Sequence, residues 1–338
     1  MAMAKTKVLV VDDSLTMRAL ISGALERIPQ VEVVGVADGA DEARSMVVQY
    51  NPDVMTLDIE MPGMSGLEYL AEIMEKRPMP VIMFSTRTEA GAEASVEALR
   101  LGAVDCFPKP KVALQSEFEA ILGKLGKRIK TAKGAKPRAT GAPKPVVASA
   151  PFDWNGHLVT MGGDAANTQL LFDVFGAFPA NCPPTLVVQH LGNGLAETLV
   201  RKLDETVAPR VVLAQDGMAV EQGTIYFAPP GDAHLVVDSW PGGKLRLLPR
   251  DPVSGERPSI SLLFASAAKA AGNAAIGVLL APGGEDGATG LKALMSAGGY
   301  GIAPADLEGS GFTLSRNMAQ QPVSTDAVAP TIIKLSGK

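Results

Sequence analysis

The chain of 338 residues is poor in cysteine, histidine and aromatic residues. Two cysteines, Cys106 and Cys182, are too few for a disulfide scaffold, and we expect buried thiols in a reducing compartment. Three histidines and two distant cysteines give no zinc-ligand spacing in the second half of the chain. No apolar run approaches the roughly 20 residues that a membrane span needs. These absences predict a cytoplasmic protein without membrane insertion.

The charge pattern offers no general attraction for nucleic acid. The net charge is -5, and the basic residues cluster only between Lys124 and Lys144. That cluster overlaps a segment rich in Lys, Ala, Gly and Pro, which is typical of a linker. The length is sufficient for two domains. We therefore predict a first domain over residues 5–125, a flexible basic linker over 126–152 and a second domain over 153–338.

Both halves show the pattern of an α/β fold. Short apolar strands alternate with amphipathic helices, which predicts parallel sheets covered on both faces. In the first half the predicted strands are Lys7–Val11, Val31–Val36, Val54–Leu57, Pro80–Phe84 and Val104–Phe107, and the helices are Leu15–Ile28, Asp41–Gln49, Gly66–Glu75, Glu93–Leu101 and Leu114–Ile129. In the second half the predicted strands are His157–Met161, Thr185–Gln189, Val211–Ala214, Thr224–Ala228 and Ile276–Ala281, and the helices are Gln169–Phe178, Ala196–Leu203, Ile260–Ala271 and Thr289–Ser296.

Polar side chains follow several strands of the first half. Asp12, Asp13 and Asp58 would bring three carboxylates to one edge of the sheet, and three like charges require a cation. Hard oxygen ligands with room for water and phosphate suit Mg²⁺. Ser85 and Lys109 follow the fourth and fifth strands, where both side chains could contact a phosphoryl group on Asp58.

The stretches VLVVDDS, MTLDIEMPGMSG, VIMFSTRT and LGAVDCFPKP carry these residues. Over residues 5–125 the chain resembles the receiver domain of two-component response regulators, a flavodoxin-like five-stranded parallel fold. The resemblance implies that Asp58 is the phosphoacceptor, that Asp12, Asp13, Asp58 and the Glu60 backbone carbonyl hold Mg²⁺, and that Ser85 and Lys109 form the switch. Receivers usually have an aromatic residue three positions before the lysine, where this chain has Cys106.

The second half contains VVQHLG, IYFAPPGDAH, GERPSISLLFASAA and GGEDGATG. With the receiver and linker ahead of it, this half resembles the doubly wound α/β domain of the CheB family, which hydrolyses glutamyl methyl esters on chemoreceptors and often deamidates glutamines. The resemblance implies a Ser-His-Asp triad in which His190 and Asp286 hold their places. Counting without a gap to His190 places Asp164, in Gly162-Gly163-Asp164, on the position of the serine.

A carboxylate offers no hydroxyl proton to the histidine, so we predict that hydrolysis is lost or nearly lost. The resemblance also implies a CheA-type histidine kinase as partner, with chemoreceptor cytoplasmic domains as a second partner. We expect phosphorylation to control binding by the second domain. One alternative is an active methylesterase or deamidase that uses Asp164 or Thr160 as the nucleophile. Another is a phosphate sink for a shared kinase. His234 is expected to be structural.

Overall fold

The computed structural model describes residues 5–86, 88–109, 125, 126, 128, 129, 132, 152–192, 194–280, 286–304 and 321–338. The chain divides into two compact units, Met1–Gly141 and Ala142–Lys338. Most of the predicted linker, 126–152, and most of the predicted helix Leu114–Ile129 lie outside the described residues.

The first unit contains a five-stranded parallel sheet with strand order β2-β1-β3-β4-β5. Its strands are β1 (Thr6–Val11), β2 (Val31–Ala37), β3 (Val54–Asp58), β4 (Val81–Ser85) and β5 (Asp105–Pro108). Its described helices are α1 (Leu15–Leu25), α2 (Ala40–Tyr50), α3 (Gly66–Lys76) and α4 (Glu89–Arg100). Every residue of β3 and β4 is buried, as expected for strands covered on both faces. This sheet confirms the flavodoxin-like fold predicted for the first half.

Hydroxyl side chains fix the starts of three of these helices. Ser14, Ser65 and Thr88 are N-caps that accept hydrogen bonds from backbone N–H groups of the first turn. Ser65 and Glu68 also form a reciprocal capping box. The Thr88 cap begins α4 four residues before the start that we predicted at Glu93. The apolar spacing alone did not reveal this cap.

The second unit contains a seven-stranded parallel sheet with order β14-β13-β12-β6-β7-β9-β8, and a separate antiparallel pair, β10 and β11. Its strands are β6 (Leu158–Asp164), β7 (Thr185–His190), β8 (Arg210–Leu213), β9 (Thr224–Phe227), β10 (His234–Val237), β11 (Leu245–Leu248), β12 (Ala275–Leu279), β13 (Tyr300–Pro304) and β14 (Gln321–Val323). Its described helices are α5 (Thr168–Gly176), α6 (Ala196–Thr206), α7 (Ile260–Ala271), α8 (Ala288–Ser296) and α9 (Val328–Ser336). The sequence analysis predicted five of these strands and missed β10, β11, β13 and β14.

The strand order places a candidate site in each sheet. In an open parallel sheet, ligands bind beyond the carboxyl ends of the strands, at the point where the strand order reverses. That point lies between β1 and β3 in the first sheet and between β6 and β12 in the second. The residues that end or follow these strands are therefore the candidates for functional residues.

Glycines allow the end of β6 to pack closely against its neighbours. A Cβ atom on Gly162 would lie 2.1 Å from Cγ2 of Ile260, the first residue of α7. A Cβ atom on Gly163 would lie 2.5 Å from the Gln189 side-chain oxygen. Both distances are far below van der Waals contact, so a larger residue would displace the last residue of the strand, Asp164.

Candidate functional site

Three carboxylates meet at the carboxyl end of the first sheet. Asp12 and Asp13 directly follow β1, and Asp58 is the last residue of β3. One ligand oxygen from each residue lies within 4.8 Å of the others. Asp12 and Asp58 are buried, whereas Asp13 is exposed. The cluster thus offers hard oxygen ligands with one side toward solvent, an arrangement that suits a divalent cation.

The surroundings of Asp12 fit such a cation. Its Oδ1 accepts a hydrogen bond of 2.9 Å from the Ser14 backbone N–H. Its Oδ2 is buried without a hydrogen-bond partner among the described residues, and lies 3.5 Å from the Lys109 Nζ. Burial raises the pKa of Asp12 above its ordinary value, partly opposed by the Ser14 N–H and by Lys109. A bound cation would stabilise this buried oxygen, which has no hydrogen-bond donor in the part of the chain that the structure describes.

Lys109 and Asp58 form a close ion pair in the same cluster. The Lys109 Nζ donates to Asp58 Oδ2 at 2.6 Å, and the Glu60 backbone N–H donates to Oδ1 at 3.1 Å. Burial nevertheless raises the pKa of Asp58 to about 6, because desolvation outweighs these favourable contacts. Burial lowers the pKa of Lys109, but the hydrogen bond and charge of Asp58 outweigh it and the net pKa is raised. Lys109 therefore remains a cation beside the carboxylate.

Ser85 ends β4 beside this cluster and is buried. Its backbone carbonyl accepts from the Lys109 N–H at 2.7 Å, which links the two predicted switch residues through the backbone. Its Oγ accepts a hydrogen bond of 2.9 Å from the Ser95 Oγ on α4. Neither Ser95 nor this hydrogen bond was predicted from the sequence.

In the second sheet, Asp164 and His190 are neighbours across two strands. Asp164 ends β6, His190 ends β7, and the two residues are paired in the parallel register. Asp164 is 7% exposed, and its Oδ1 accepts a hydrogen bond of 2.9 Å from the Asn167 side-chain amide. The Gln189 side-chain amide donates to the Asp164 backbone carbonyl. A buried carboxylate therefore lies at the strand end where the sequence comparison placed the nucleophile.

His190 is oriented by a carbonyl and a carboxylate. Its Nε2 lies 2.9 Å from the Pro258 carbonyl oxygen and 3.6 Å from Asp286 Oδ2. Because a carbonyl oxygen only accepts hydrogen bonds, Nε2 carries the hydrogen in this arrangement, and Nδ1 carries the lone pair of the neutral ring. The side chain of His190 is 19% exposed.

Asp286 is held by the first turn of α7. Its Oδ1 accepts from the Ser259 Oγ and from the Ser261 N–H, each at 2.9 Å, and its Oδ2 accepts from the Ile260 N–H at 2.8 Å. Carboxylates are stabilised at helix N-termini, where N–H groups lack partners within the helix. Ser259 also caps the helix, since its Oγ accepts from the Leu262 N–H at 3.2 Å. The sequence analysis missed this support, although a serine at the start of an apolar helix is an N-cap signal.

Two further residues named in the sequence analysis have structural contacts. Thr160 lies in the middle of β6, fully buried, and its Oγ1 donates to the Ile276 carbonyl oxygen at 3.1 Å. His234 is fully buried, with Nδ1 accepting from the Ser259 N–H and Nε2 donating to the Asp251 carbonyl oxygen, each at 3.0 Å. Both ring nitrogens of His234 are therefore used within the fold.

Among the helices in the described ranges, none has the length and apolarity to cross a membrane. A family model described as CheB methylesterase matches residues 159–335, and one described as response regulator receiver domain matches residues 8–118. The chain is 46% identical over 301 residues to a protein-glutamate methylesterase/protein-glutamine glutaminase of Caulobacter vibrioides, covering 88% of this chain and 86% of that protein. A Rhizobium etli protein of the same activity name is 40% identical and covers 98% of this chain and 97% of its own length. The catalytic domain of Thermotoga maritima CheB methylesterase superposes with a TM-score of 0.50 at 27% identity, covering 54% of this chain and 99% of that domain.

Proposed function

This chain belongs to the CheB methylesterase family, with a response regulator receiver domain ahead of the methylesterase domain, and we propose that it is a regulator whose second domain binds a partner without hydrolysing it. A CheA-type histidine kinase in the cytoplasm phosphorylates Asp58. Phosphorylation of the receiver, residues 5–125, then acts through the linker, 126–152, on binding by the second domain, 153–338. Chemoreceptor cytoplasmic domains are the proposed binding partner, because the relatives are named for action on protein glutamate and glutamine.

The chemistry of the first step follows from the acidic cluster. A carboxylate oxygen of Asp58 attacks the phosphorus of phosphohistidine, so an O–P bond forms while the N–P bond of the donor breaks. Asp12, Asp13, Asp58 and the Glu60 carbonyl are the proposed Mg²⁺ ligands, and the ion would neutralise charge on the phosphoryl oxygens when bound. Lys109, now 2.6 Å from Asp58 Oδ2, would transfer its contact to a phosphoryl oxygen.

One observation supports the loss of hydrolysis: the buried carboxylate of Asp164 ends β6 beside His190. A serine nucleophile gives its hydroxyl hydrogen to the histidine as the oxygen attacks the ester carbonyl. A carboxylate has no hydroxyl hydrogen to give, although His190 and its orienting Asp286 remain near each other. Loss of the nucleophile of a serine triad removes on the order of 10⁶ in turnover. We therefore propose that the second domain retains the scaffold of the esterase without its reaction.

The same substitution affects which side chain the domain would bind. Asp164 adds a carboxylate to a site that already contains Asp286, and like charges repel strongly where water is largely excluded. A receptor glutamate would bring a third carboxylate, whereas glutamine or a glutamyl methyl ester is neutral. We infer that the domain binds the neutral forms in preference to glutamate.

The activity names of the relatives favour a second candidate, an active methylesterase or deamidase. In that case the Asp164 carboxylate would attack the ester or amide carbonyl, forming an anhydride as methanol or ammonia leaves, and water would then hydrolyse the anhydride. Alternatively, His190 would activate water to attack the same carbonyl. A phosphate sink, in which the receiver only drains phosphoryl groups from a shared kinase, predicts no change in the second domain.

Phosphotransfer and exchange measurements on the full chain test the proposal. Purified phosphorylated kinase is mixed with the chain and with Asp58→Asn, and backbone hydrogen exchange is followed over β6 and α7. We expect phosphate on the native chain alone, accompanied by altered exchange in the second unit. Phosphorylation without any change in exchange or receptor binding would favour the phosphate sink, and absence of phosphorylation would refute the proposed switch.

A further inference from the structure

Ser95, the seventh of the twelve residues of α4, contacts the predicted switch hydroxyl and is almost fully buried. The Ser95 Oγ lies 2.9 Å from the Ser85 Oγ and 2.7 Å from the Gly91 carbonyl oxygen, and it can donate its one hydrogen to either oxygen. A hydroxyl has one hydrogen, so full donation to one acceptor weakens donation to the other. Ser95 therefore has two alternative acceptors, one in the switch and one in its own helix.

The direction of the contact matters for Ser85. When Ser85 accepts from Ser95, its own hydroxyl hydrogen is left to be donated to another oxygen. A phosphoryl oxygen on Asp58 is the acceptor that the proposed function supplies. Donation to this anionic oxygen would make the Ser85 oxygen a better acceptor, because hydrogen bonds in a chain polarise one another. The hydrogen of Ser95 would then favour Ser85 over the Gly91 carbonyl.

Cys106, on β5, contacts the backbone of the same serine. Its thiol, buried on β5, lies 3.4 Å from the Ser95 backbone carbonyl oxygen and is the donor. Burial raises the pKa of Cys106 well above its ordinary value, so the thiol keeps the hydrogen that it donates. Ser95 thus contacts Ser85 of β4 through its hydroxyl and Cys106 of β5 through its backbone carbonyl. Cys106 occupies the position where receivers usually have an aromatic residue.

We propose that Ser95 is a positioning residue that orients the Ser85 hydroxyl toward the phosphoryl group on Asp58 and transmits phosphorylation to the first turns of α4. This inference rests on the proposed phosphorylation of Asp58. It adds a hydrogen-bonded chain, from the phosphoryl oxygen through Ser85 to Ser95, in which the Gly91 carbonyl loses the Ser95 hydroxyl as a donor when that hydroxyl turns to Ser85.

The rate constant for phosphorylation of the full chain by phosphoramidate with Mg²⁺, followed by intact-protein mass spectrometry, tests the inference. We expect Ser95→Ala to slow the reaction by about twofold to tenfold, the range that a net hydrogen bond provides. Ser95→Thr keeps the hydroxyl and should restore the native rate. Ser45→Ala is the matched control, because Ser45 is also a helical serine that donates to the carbonyl four residues earlier, at 3.3 Å, but lies on α2.

A double-mutant cycle separates positioning from general damage to the fold. If Ser95 acts only through Ser85, Ser95→Ala should add no further slowing in a Ser85→Ala background. The Mg²⁺ concentration that gives half the maximal rate should be the same in Ser95→Ala and the native chain. If Ser95→Ala does not fold, Ser95→Cys, a weaker donor, takes its place with the same expected slowing.

If the native chain is phosphorylated normally, two results would overturn this inference alone. The first is phosphorylation of Ser95→Ala at the native rate. The second is equal slowing by Ser95→Ala in the native chain and in the Ser85→Ala background. A native chain that takes no phosphate would instead refute the proposed function, and this inference with it.

Discussion

Replacing Asp58 with asparagine should stabilise the receiver near neutral pH. The native carboxyl is fully buried and its pKa is raised from 3.8 to about 6. The shift of about two units corresponds to ~3 kcal/mol of unfavourable ionisation in the folded state. An asparagine side chain at this position would carry no charge at any pH, so we expect Asp58→Asn to unfold with a free energy ~3 kcal/mol higher than the native chain at pH 7.

The pH dependence gives this prediction its sign. Below pH 3.8 the carboxyl is protonated in both states, and its burial carries no ionisation penalty. As pH rises toward about 6 the unfolded chain releases its proton first, so the contribution of protonated Asp58 to stability is progressively lost. The advantage of the asparagine variant should therefore fall from ~3 kcal/mol at pH 7 to ~1 kcal/mol at pH 4.5.

Hydrogen exchange of the slowest amides in β1 and β3 measures the free energy of unfolding of the receiver within the full chain. Glu32→Gln, on the exposed side of β2, is the control and should change stability by less than about 0.5 kcal/mol at every pH. Saturating Mg²⁺ should stabilise the native chain more than Asp58→Asn and so reduce the difference. A difference that does not vary between pH 4.5 and pH 7 would refute the reasoning that burial of the charge is responsible.

Three further predictions concern the site in each unit. With limiting Mg²⁺, phosphorylation of Asp58 should accelerate as pH rises through about 6, because the attacking carboxylate must be ionised. Saturating Mg²⁺ should move this transition to lower pH. A rate constant that does not change from pH 5 to 8 would contradict the prediction. In calorimetry, receptor peptides with glutamine at the modification positions should bind about tenfold more tightly than peptides with glutamate at these positions. Asp164→Asn should abolish this preference, and a preference that persists in the variant would disprove the role of the Asp164 charge. Gly162→Ala should lower the free energy of unfolding by about 1 to 3 kcal/mol, because its Cβ would overlap Ile260. Gly176→Ala should not destabilise the fold, because apart from the backbone of its own helix no described atom lies within 4 Å of the added Cβ. Equal effects of the two variants in denaturant unfolding would count against the close packing of β6.

Sequence reasoning located the receiver cluster because the chemistry lies beside the strands in the sequence. Asp12 follows β1, Asp58 ends β3 and Lys109 follows β5, and the carboxyl ends of parallel strands meet at one edge of the sheet. The alternation of strands with amphipathic helices was sufficient to predict both parallel sheets. The helix caps, such as Thr88 before α4, lay just outside the apolar pattern and shifted one predicted helix boundary.

The partners that orient these residues could not be predicted in the same way. Ser259 and Asp286 are 27 positions apart, and Ser85 and Ser95 join a strand to a later helix. Such contacts depend on how helices pack on the sheet, which hydrophobic periodicity does not specify. The antiparallel pair β10 and β11 was missed because the sequence was interpreted as strands alternating with helices, whereas these two strands pair with each other apart from the parallel sheet.

Methanol release from methylated receptor by the phosphorylated full chain tests the central claim most directly. Asp164→Ser, and the same variant with His190→Ala, are measured beside the native chain. We predict no release from the native chain, release from Asp164→Ser because His190 and Asp286 remain in place, and loss of that release with His190→Ala. Release by the native chain that disappears in its own His190→Ala variant would contradict the account, because the site would then hydrolyse esters without a serine.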